Sequence, residues 1–236
     1  MARLTPNGYV GMVGNVVSYT MNGQQYLRTK PTHTKKRKKN PVNMLFGEVT
    51  RNGSPMARLI KLYGDLLFHF SLGSYNNMRG WIRNLRAANP VEWDLAVRPN
   101  HTGNLNPACD FRDFISVPVS VGNANGIITV SIPEFNPAMD IKSPAGTRKI
   151  NMKVIAVTSP YKDTRETGYA MQSFSFDNKD TIVPSKECRL ITEGNTGKPG
   201  HVAMIIIALE FMTTGNNIIR DPKWLPAAGI AMGRLS

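Results

Sequence analysis

The chain has 236 residues, enough for one large domain or two smaller ones. Its formal net charge of +13 is uneven: residues 1–100 carry 15 Lys and Arg against four Asp and Glu, whereas residues 101–236 carry 14 against 12. This asymmetry argues against a uniformly basic surface and points to an anionic partner for the first part of the chain. With no long apolar stretch and no secretory signal pattern, we expect a cytoplasmic protein or a particle component assembled in the cytoplasm.

The first predicted element is a β-hairpin with strands over residues 9–19 and 24–29. Asn22-Gly23 lies between them, and this dipeptide readily adopts the positive φ angles of a type I′ turn. Val17 and Tyr19 alternate with Val16 and Ser18, as expected for a half-buried strand. A two-stranded hairpin is marginally stable alone, so we expect it to dock on another part of the chain or on another subunit.

A basic arm follows the hairpin over residues 30–41, where prolines and dense like charge favour an extended chain. Seven cations fall within 12 residues: Arg28, Lys30, Lys35, Lys36, Arg37, Lys38 and Lys39. If all seven bound duplex phosphates, counterion release would give a log–log salt slope of roughly −6. Contact with nucleic acid, contact with an acidic neighbouring subunit, and simple solvation remain open. We expect no membrane partner, because the arm lacks Phe, Trp and Leu.

Helical periodicity comes next along the chain. Residues 42–51 predict a short helix, and Ser54-Pro55 is a start signal for a helix that extends to residue 70. A third helix is predicted over residues 75–88, with Ser74 as its N-cap. Its apolar stripe consists of Met78, Ile82 and Leu85.

Three arginines of the third predicted helix form a second stripe. Arg79, Arg83 and Arg86 fall at i, i+4 and i+7, so they share one face beside the apolar stripe. Guanidinium groups bind phosphate and carboxylate in a bidentate manner. The stripe is either the outer face of an ordinary amphipathic helix or part of an anion-binding surface shared with the arm.

The remainder of the chain predicts β-structure. Apolar and alternating runs separated by polar turns occur over residues 114–121, 126–132, 148–159, 168–177, 187–192 and 201–213. The last run is nearly all apolar, which indicates a central strand. The predicted fold class is therefore α+β: an N-terminal β-hairpin and basic arm, a short helical region and a C-terminal antiparallel β-sandwich. The expected domains are 1–104 and 105–236.

Catalytic patterns are weak. The four histidines are widely spaced with no HExxH, and neither GxSxG nor a Walker loop occurs. Asp110 and Asp113 lie close in sequence, as paired carboxylates do in acid–base chemistry, but a loop at the entry to a strand explains them more simply. The two cysteines, Cys109 and Cys188, are expected to be reduced. We expect no enzyme activity, no metal and no cofactor.

The N-terminal segment has a pattern of small and β-branched residues: Gly8, Gly11, Val13, Gly14, Val16, Val17, Gly23, Arg28 and Pro31. This pattern resembles an uncharacterised bacterial family known as a domain of unknown function, family 6266. The segment VIAVTSPYKD is also similar to the second half of that family. The resemblance implies this architecture and brings no activity, cofactor or catalytic residue.

Three functions follow as hypotheses. The first is a non-enzymatic structural component of a multi-subunit assembly, such as a phage virion, whose basic arm contacts nucleic acid or acidic neighbours. The second is a free, sequence-nonspecific nucleic-acid-binding architectural protein. The third is a β-sandwich ligand-binding module, which would need a concave pocket with convergent polar groups.

Overall fold

The computed structural model divides the chain into two compact units, residues 1–43 and residues 44–236. The residues that it describes are 2–5, 8–21, 24–30, 44, 47, 72–88, 95, 102–124, 126–160, 168–191 and 201–235. The predicted arm beyond Lys30 lies outside these residues. So do the predicted helices over 42–51 and 55–70, apart from Met44 and Gly47, which are helical.

The first unit is a four-stranded antiparallel sheet in the order β1-β2-β3-β4. Its strands are β1 (Ala2–Thr5), β2 (Gly8–Val13), β3 (Val16–Met21) and β4 (Gln24–Thr29). Strands β3 and β4 pair antiparallel where the hairpin was predicted, with Met21 opposite Gln24. The predicted first strand, 9–19, is instead two strands. A turn at Gly14 separates them, and its φ of 57° lies in the left-handed region that glycine adopts without strain.

Antiparallel β-structure dominates the second unit, as predicted. One sheet has the order β5-β12-β11-β8-β9 and the other has the order β10-β7-β6. The strands are β5 (Gly103–Asn104), β6 (Ser120–Ala124), β7 (Ile127–Ile132), β8 (Lys149–Pro160), β9 (Gly168–Asp177), β10 (Lys186–Leu190), β11 (His201–Met212) and β12 (Ala227–Arg234). The helices are α1 (Leu72–Ala88) and α2 (Pro137–Asp140), with 3-10 turns at Phe111–Asp113 and Pro222–Trp224.

Strand β11 lies at the centre of the five-stranded sheet and is buried on both faces. Ile205, Ile207 and Leu209 join a hydrophobic core with side chains of the three-stranded sheet. Met204 and Ile206, on the other face, join a second core with helix α1. Because neither face meets water, the sequence of the strand is a nearly continuous apolar run and does not alternate between apolar and polar residues. The second unit is thus layered: helix, five-stranded sheet, three-stranded sheet.

Helix α1 lies in the second compact unit, where its apolar stripe is buried against the five-stranded sheet. The compact units divide between residues 43 and 44. The domain division expected at 104/105 stays a prediction. The helix also begins at Leu72, which places Ser74 inside it, buried, and not at the N-cap.

Two further differences concern strands. The predicted strand over 114–121 forms only from Ser120, since Pro118 cannot donate a ladder hydrogen bond and residues 111–113 are a 3-10 turn. Strand β12 was not predicted. Its sequence, AAGIAMGR, has small residues in place of the β-branched and aromatic residues that mark strands.

Candidate anionic-partner surface

The first unit concentrates positive charge. Residues 1–43 contain eight Lys and Arg and no Asp or Glu. Of the predicted site residues in this unit, Arg28 and Lys30 are described and exposed. The backbone N–H of Lys30 donates to the carbonyl of Asn15 at 2.6 Å, which fixes the end of β4 against the β2–β3 turn. Lys35, Lys36, Arg37, Lys38 and Lys39 lie outside the described residues.

One face of this sheet carries an aromatic pair that the sequence reasoning did not single out. Tyr19 and Tyr26 are opposite each other on β3 and β4. Their rings stack with centroids 5.7 Å apart and an interplanar angle of 20°. The guanidinium carbon of Arg28 lies 5.8 Å from the centre of the Tyr19 ring, within cation–π range. The sequence contained the signal, because the turn predicted at Asn22-Gly23 pairs residue 21 with residue 24 and therefore residue 19 with residue 26.

The face around this pair is open to solvent. Tyr19 and Tyr26 are each 37% exposed, and Met12, whose partner Val17 is on the same face, is 42% exposed. The Tyr26 hydroxyl donates to Gln24 Oε1 at 3.0 Å, which holds the tip of that ring. On the opposite face, Gln25 donates from Nε2 to Ser18 Oγ at 2.9 Å. The exposed face therefore combines aromatic, apolar and cationic groups on a fixed backbone.

The two described arginine side chains of helix α1 differ in exposure. Arg79 is half-buried, with its guanidinium carbon 5.4 Å from the centre of the Tyr75 ring. Arg83 is exposed, and Arg86 lies in the helix but its side chain is outside the described part. The structure places these arginines in the second unit, whereas Arg28 and Lys30 are in the first.

A buried ion pair marks the end of the five-stranded sheet. Glu210 on β11 is 3% exposed and accepts hydrogen bonds from Lys153 Nζ at 2.5 Å and Asn151 Nδ2 at 3.0 Å. Both donors are on the adjacent strand β8. A buried carboxylate needs such partners, so this cluster is a structural contact between strands.

The carboxylate of Asp110, next to Cys109, also has a structural role. Asp110 accepts from Arg112 Nη2 at 2.8 Å and from the Arg112 backbone N–H at 3.1 Å, capping the 3-10 turn. The hydrogen bond from the Arg112 side chain holds the pKa of the Asp110 carboxyl below its usual value. Burial, with smaller contributions from Asp110 and Asp113, raises the pKa of the Cys109 thiol to about 11. A thiol in this state is a poor nucleophile at neutral pH.

Two clefts in the second unit have the volume of a small-molecule site. One, of about 370 Å³, is lined largely by apolar side chains including Phe111, Val117 and Ile230, and its cation, Arg112, already pairs with Asp110. The other, also about 370 Å³, is shallow and lies between α1 and β5 beside Asn76, Asn84 and other polar groups. Neither cleft brings together a nucleophile and a base.

No group of three or more His, Cys, Asp or Glu within the described residues is placed to hold a metal ion. None of the described helices is both long and apolar enough to cross a bilayer. Comparison of the chain with protein-family models, with curated proteins and with solved structures finds no match. The likeness to family 6266 therefore stays a prediction.

Proposed function

We propose that the protein is a non-enzymatic structural component of a multi-subunit assembly, such as a phage virion. In this proposal the second unit is the body of the subunit, and the basic first unit contacts nucleic acid in the particle. The observation that carries it is the separation of charge from core. Residues 1–43 form their own unit with eight cations and no acid, whereas the large hydrophobic cores lie in residues 44–236.

Two physical arguments support these separate roles for the two units. A sheet of short strands with exposed side chains on both faces gains little from burial, so it needs a partner to become stable. Like charges within it repel one another until an anion neutralises them. A polyanion supplies both the neutralising charge and the entropy of counterion release.

The experiment combines size measurement with a charge-removal variant. Light scattering after size exclusion of the full chain, with and without a mixed-sequence oligonucleotide, is expected to show species larger than the 26.1 kDa monomer. Changing Lys35, Lys36, Arg37, Lys38 and Lys39 to Ser should weaken oligonucleotide binding and reduce the magnitude of its log–log salt slope by about 4. The matched control removes five exposed cations of the second unit by changing each of them to Ser: Arg83, Arg148, Lys179, Lys186 and Arg220.

The outcomes separate the candidate functions. A chain that remains monomeric at every concentration, with and without oligonucleotide, would contradict the assembly proposal. A monomer that binds oligonucleotides through the arm would favour the free architectural protein. Equal weakening by the arm variant and its control would show that net charge, and not the basic first unit, drives binding. Assembly without any oligonucleotide binding would point to an acidic neighbouring subunit as the partner of the arm.

A further inference from the structure

We propose that the Tyr19–Tyr26 face of the first unit binds the unpaired bases of single-stranded nucleic acid, while the exposed cations Arg28 and Lys30 bind its phosphates. The inference rests on the proposed function and deepens it by naming the ligand. It also changes the kind of contact. Charge alone implies binding to the phosphate backbone, whereas this face adds direct contact with bases.

The first step is the availability of π surface. Tyr19 and Tyr26 stack on each other, yet each keeps 37% of its surface exposed. Arg28 adds a planar guanidinium against Tyr19. Nucleobases stack both on aromatic rings and on guanidinium planes, and they do so with little dependence on sequence, because every base has a π-face.

The second step is the spacing of the rings. They project from neighbouring strands whose register runs unbroken from Val16↔Thr29 to Met21↔Gln24. The Tyr26 hydroxyl donates a hydrogen bond to Gln24, and Arg28 lies against the Tyr19 ring. The pairing of β3 and β4 therefore sets the two rings side by side where a base would stack.

The third step is the choice of a single strand. In a duplex, each base is already stacked between its neighbours, so its flat face is closed to a side chain. Exposed tyrosines on a sheet face therefore cannot stack on the bases of a duplex, so only the charge of the unit would attract a duplex. Unpaired bases can leave their own stack and stack on the tyrosine pair, while the cations of the same unit contact the phosphates.

Charge complementarity selects a polyanion over other occupants. The unit has no acidic side chain to repel phosphates, and Arg28 and Lys30 are exposed at the C-terminal end of β4. An acidic peptide offers the same charge and lacks bases. A test that compares polyanions with and without bases therefore distinguishes the two.

The experiment uses the full-length chain and a fluorescein-labelled 20-nucleotide oligothymidylate, with binding followed by anisotropy. Competitors are inorganic polyphosphate, which has charge and no bases, and a 20-base-pair duplex. We expect the oligothymidylate to bind more tightly than either. The Tyr19→Ala/Tyr26→Ala variant should lose between about fivefold and about 100-fold in oligothymidylate affinity. Its polyphosphate affinity and its salt slope should not change.

Two controls make the result specific. Tyr19→Phe/Tyr26→Phe keeps the rings and should retain affinity. Leu27→Ala alters a side chain that is 69% exposed on the opposite face of the sheet, and it should have no effect. Because the double alanine variant could unfold the sheet, the unaltered chain is also photo-crosslinked to an oligonucleotide containing 5-iodouracil. Crosslinks mapped by mass spectrometry should fall on Tyr19 or Tyr26.

The failures are distinguishable. If oligothymidylate and polyphosphate bind equally, the alanine variant binds as the original chain does, and crosslinks avoid the tyrosines, the base-stacking inference is overturned. The proposal of an assembly component with a basic unit then survives. If the oligothymidylate does not bind at all, the stacking inference and the nucleic-acid contact of the proposed function both fail.

Discussion

At the scale of single residues, Trp81 shows how closely the helix approaches the sheet. Its indole lies over Gly103 and Gly229, which pair with each other between β5 and β12. A Cβ atom at either glycine would come within 3.0 Å of the ring, closer than real side chains approach. The two glycines therefore form the slot that admits the largest side chain of α1.

Changing Gly229 to Ala should reduce the free energy of unfolding by about 1–3 kcal/mol, because the indole must shift to admit the methyl group. Urea denaturation measures the effect. Gly122→Ala in β6, where an added Cβ meets nothing within 4 Å, is the matched control and should change stability by less than about 0.5 kcal/mol. In a Trp81→Leu background the cost of Gly229→Ala should shrink. An unchanged cost would show that the ring is not the cause.

Removing the buried carboxylate of Glu210 should strongly reduce the free energy of unfolding. Glu210→Ala leaves Lys153, whose side chain is 14% exposed, without its carboxylate, at a cost of about 3–5 kcal/mol. Changing Lys153 to Met in the same chain removes the stranded charge. The double variant should therefore be more stable than Glu210→Ala alone, as judged by urea midpoints at pH 7. Equal midpoints would contradict the pairing.

The Cys109 thiol gives a pH dependence with a definite sign. Burial raises its pKa from 9.0 to about 11, so the folded chain keeps the proton where the unfolded chain loses it. The stabilising contribution is full below pH 9 and is lost as the pH rises toward 11. The urea midpoint should therefore fall more between pH 8 and pH 10.5 in the original chain than in the Cys109→Ser variant. An equal fall in both would show that other groups account for the alkaline loss.

At the scale of elements, helix α1 has one buried face and one solvent face. Met78 is fully buried, and Ile82 and Leu85 are each 2% exposed, whereas Arg83 is exposed. Met78→Ala should cost about 2–5 kcal/mol because it leaves a cavity under the helix. Arg83→Ala should cost less than about 0.5 kcal/mol. Thermal or urea unfolding of the two variants tests the contrast, and a large effect of Arg83→Ala would imply a contact on the outer face.

These elements also show which structural features local sequence patterns can predict. The spacing of Met78, Ile82 and Leu85 predicted the buried stripe of α1, and the Asn-Gly dipeptide predicted the β3–β4 hairpin. The partner of the stripe was not predictable, because periodicity shows that a face is buried and not what covers it. The slot for Trp81 depends on two glycines 126 positions apart, which no local window contains. Strand β12 was missed for a similar reason, since its pairing partners and not its small residues make it a strand.

At the scale of the whole molecule, the two units should differ in local stability. The first has exposed side chains on both faces of its sheet, whereas the second has two cores around β11. In hydrogen exchange of the free chain, amides of β3 and β4 should exchange orders of magnitude faster than those of β8 and β11. Mass spectrometry of peptic fragments measures both in one sample. Equal protection would mean that the first unit has a stabilising contact in the free chain.

The burial of residues 201–211 of β11 has a consequence once the chain is heated. The segment VAMIIIAL at 202–209 has no charge, proline or glycine, and only the native neighbours on its faces and edges keep it from pairing with identical copies. Such segments form intermolecular cross-β contacts when exposed. Melting should therefore end in aggregation, so that the apparent midpoint rises with scan rate and cooling does not restore the native signal. Shelf life near that temperature would then be set by how fast the chain opens and not by its equilibrium stability.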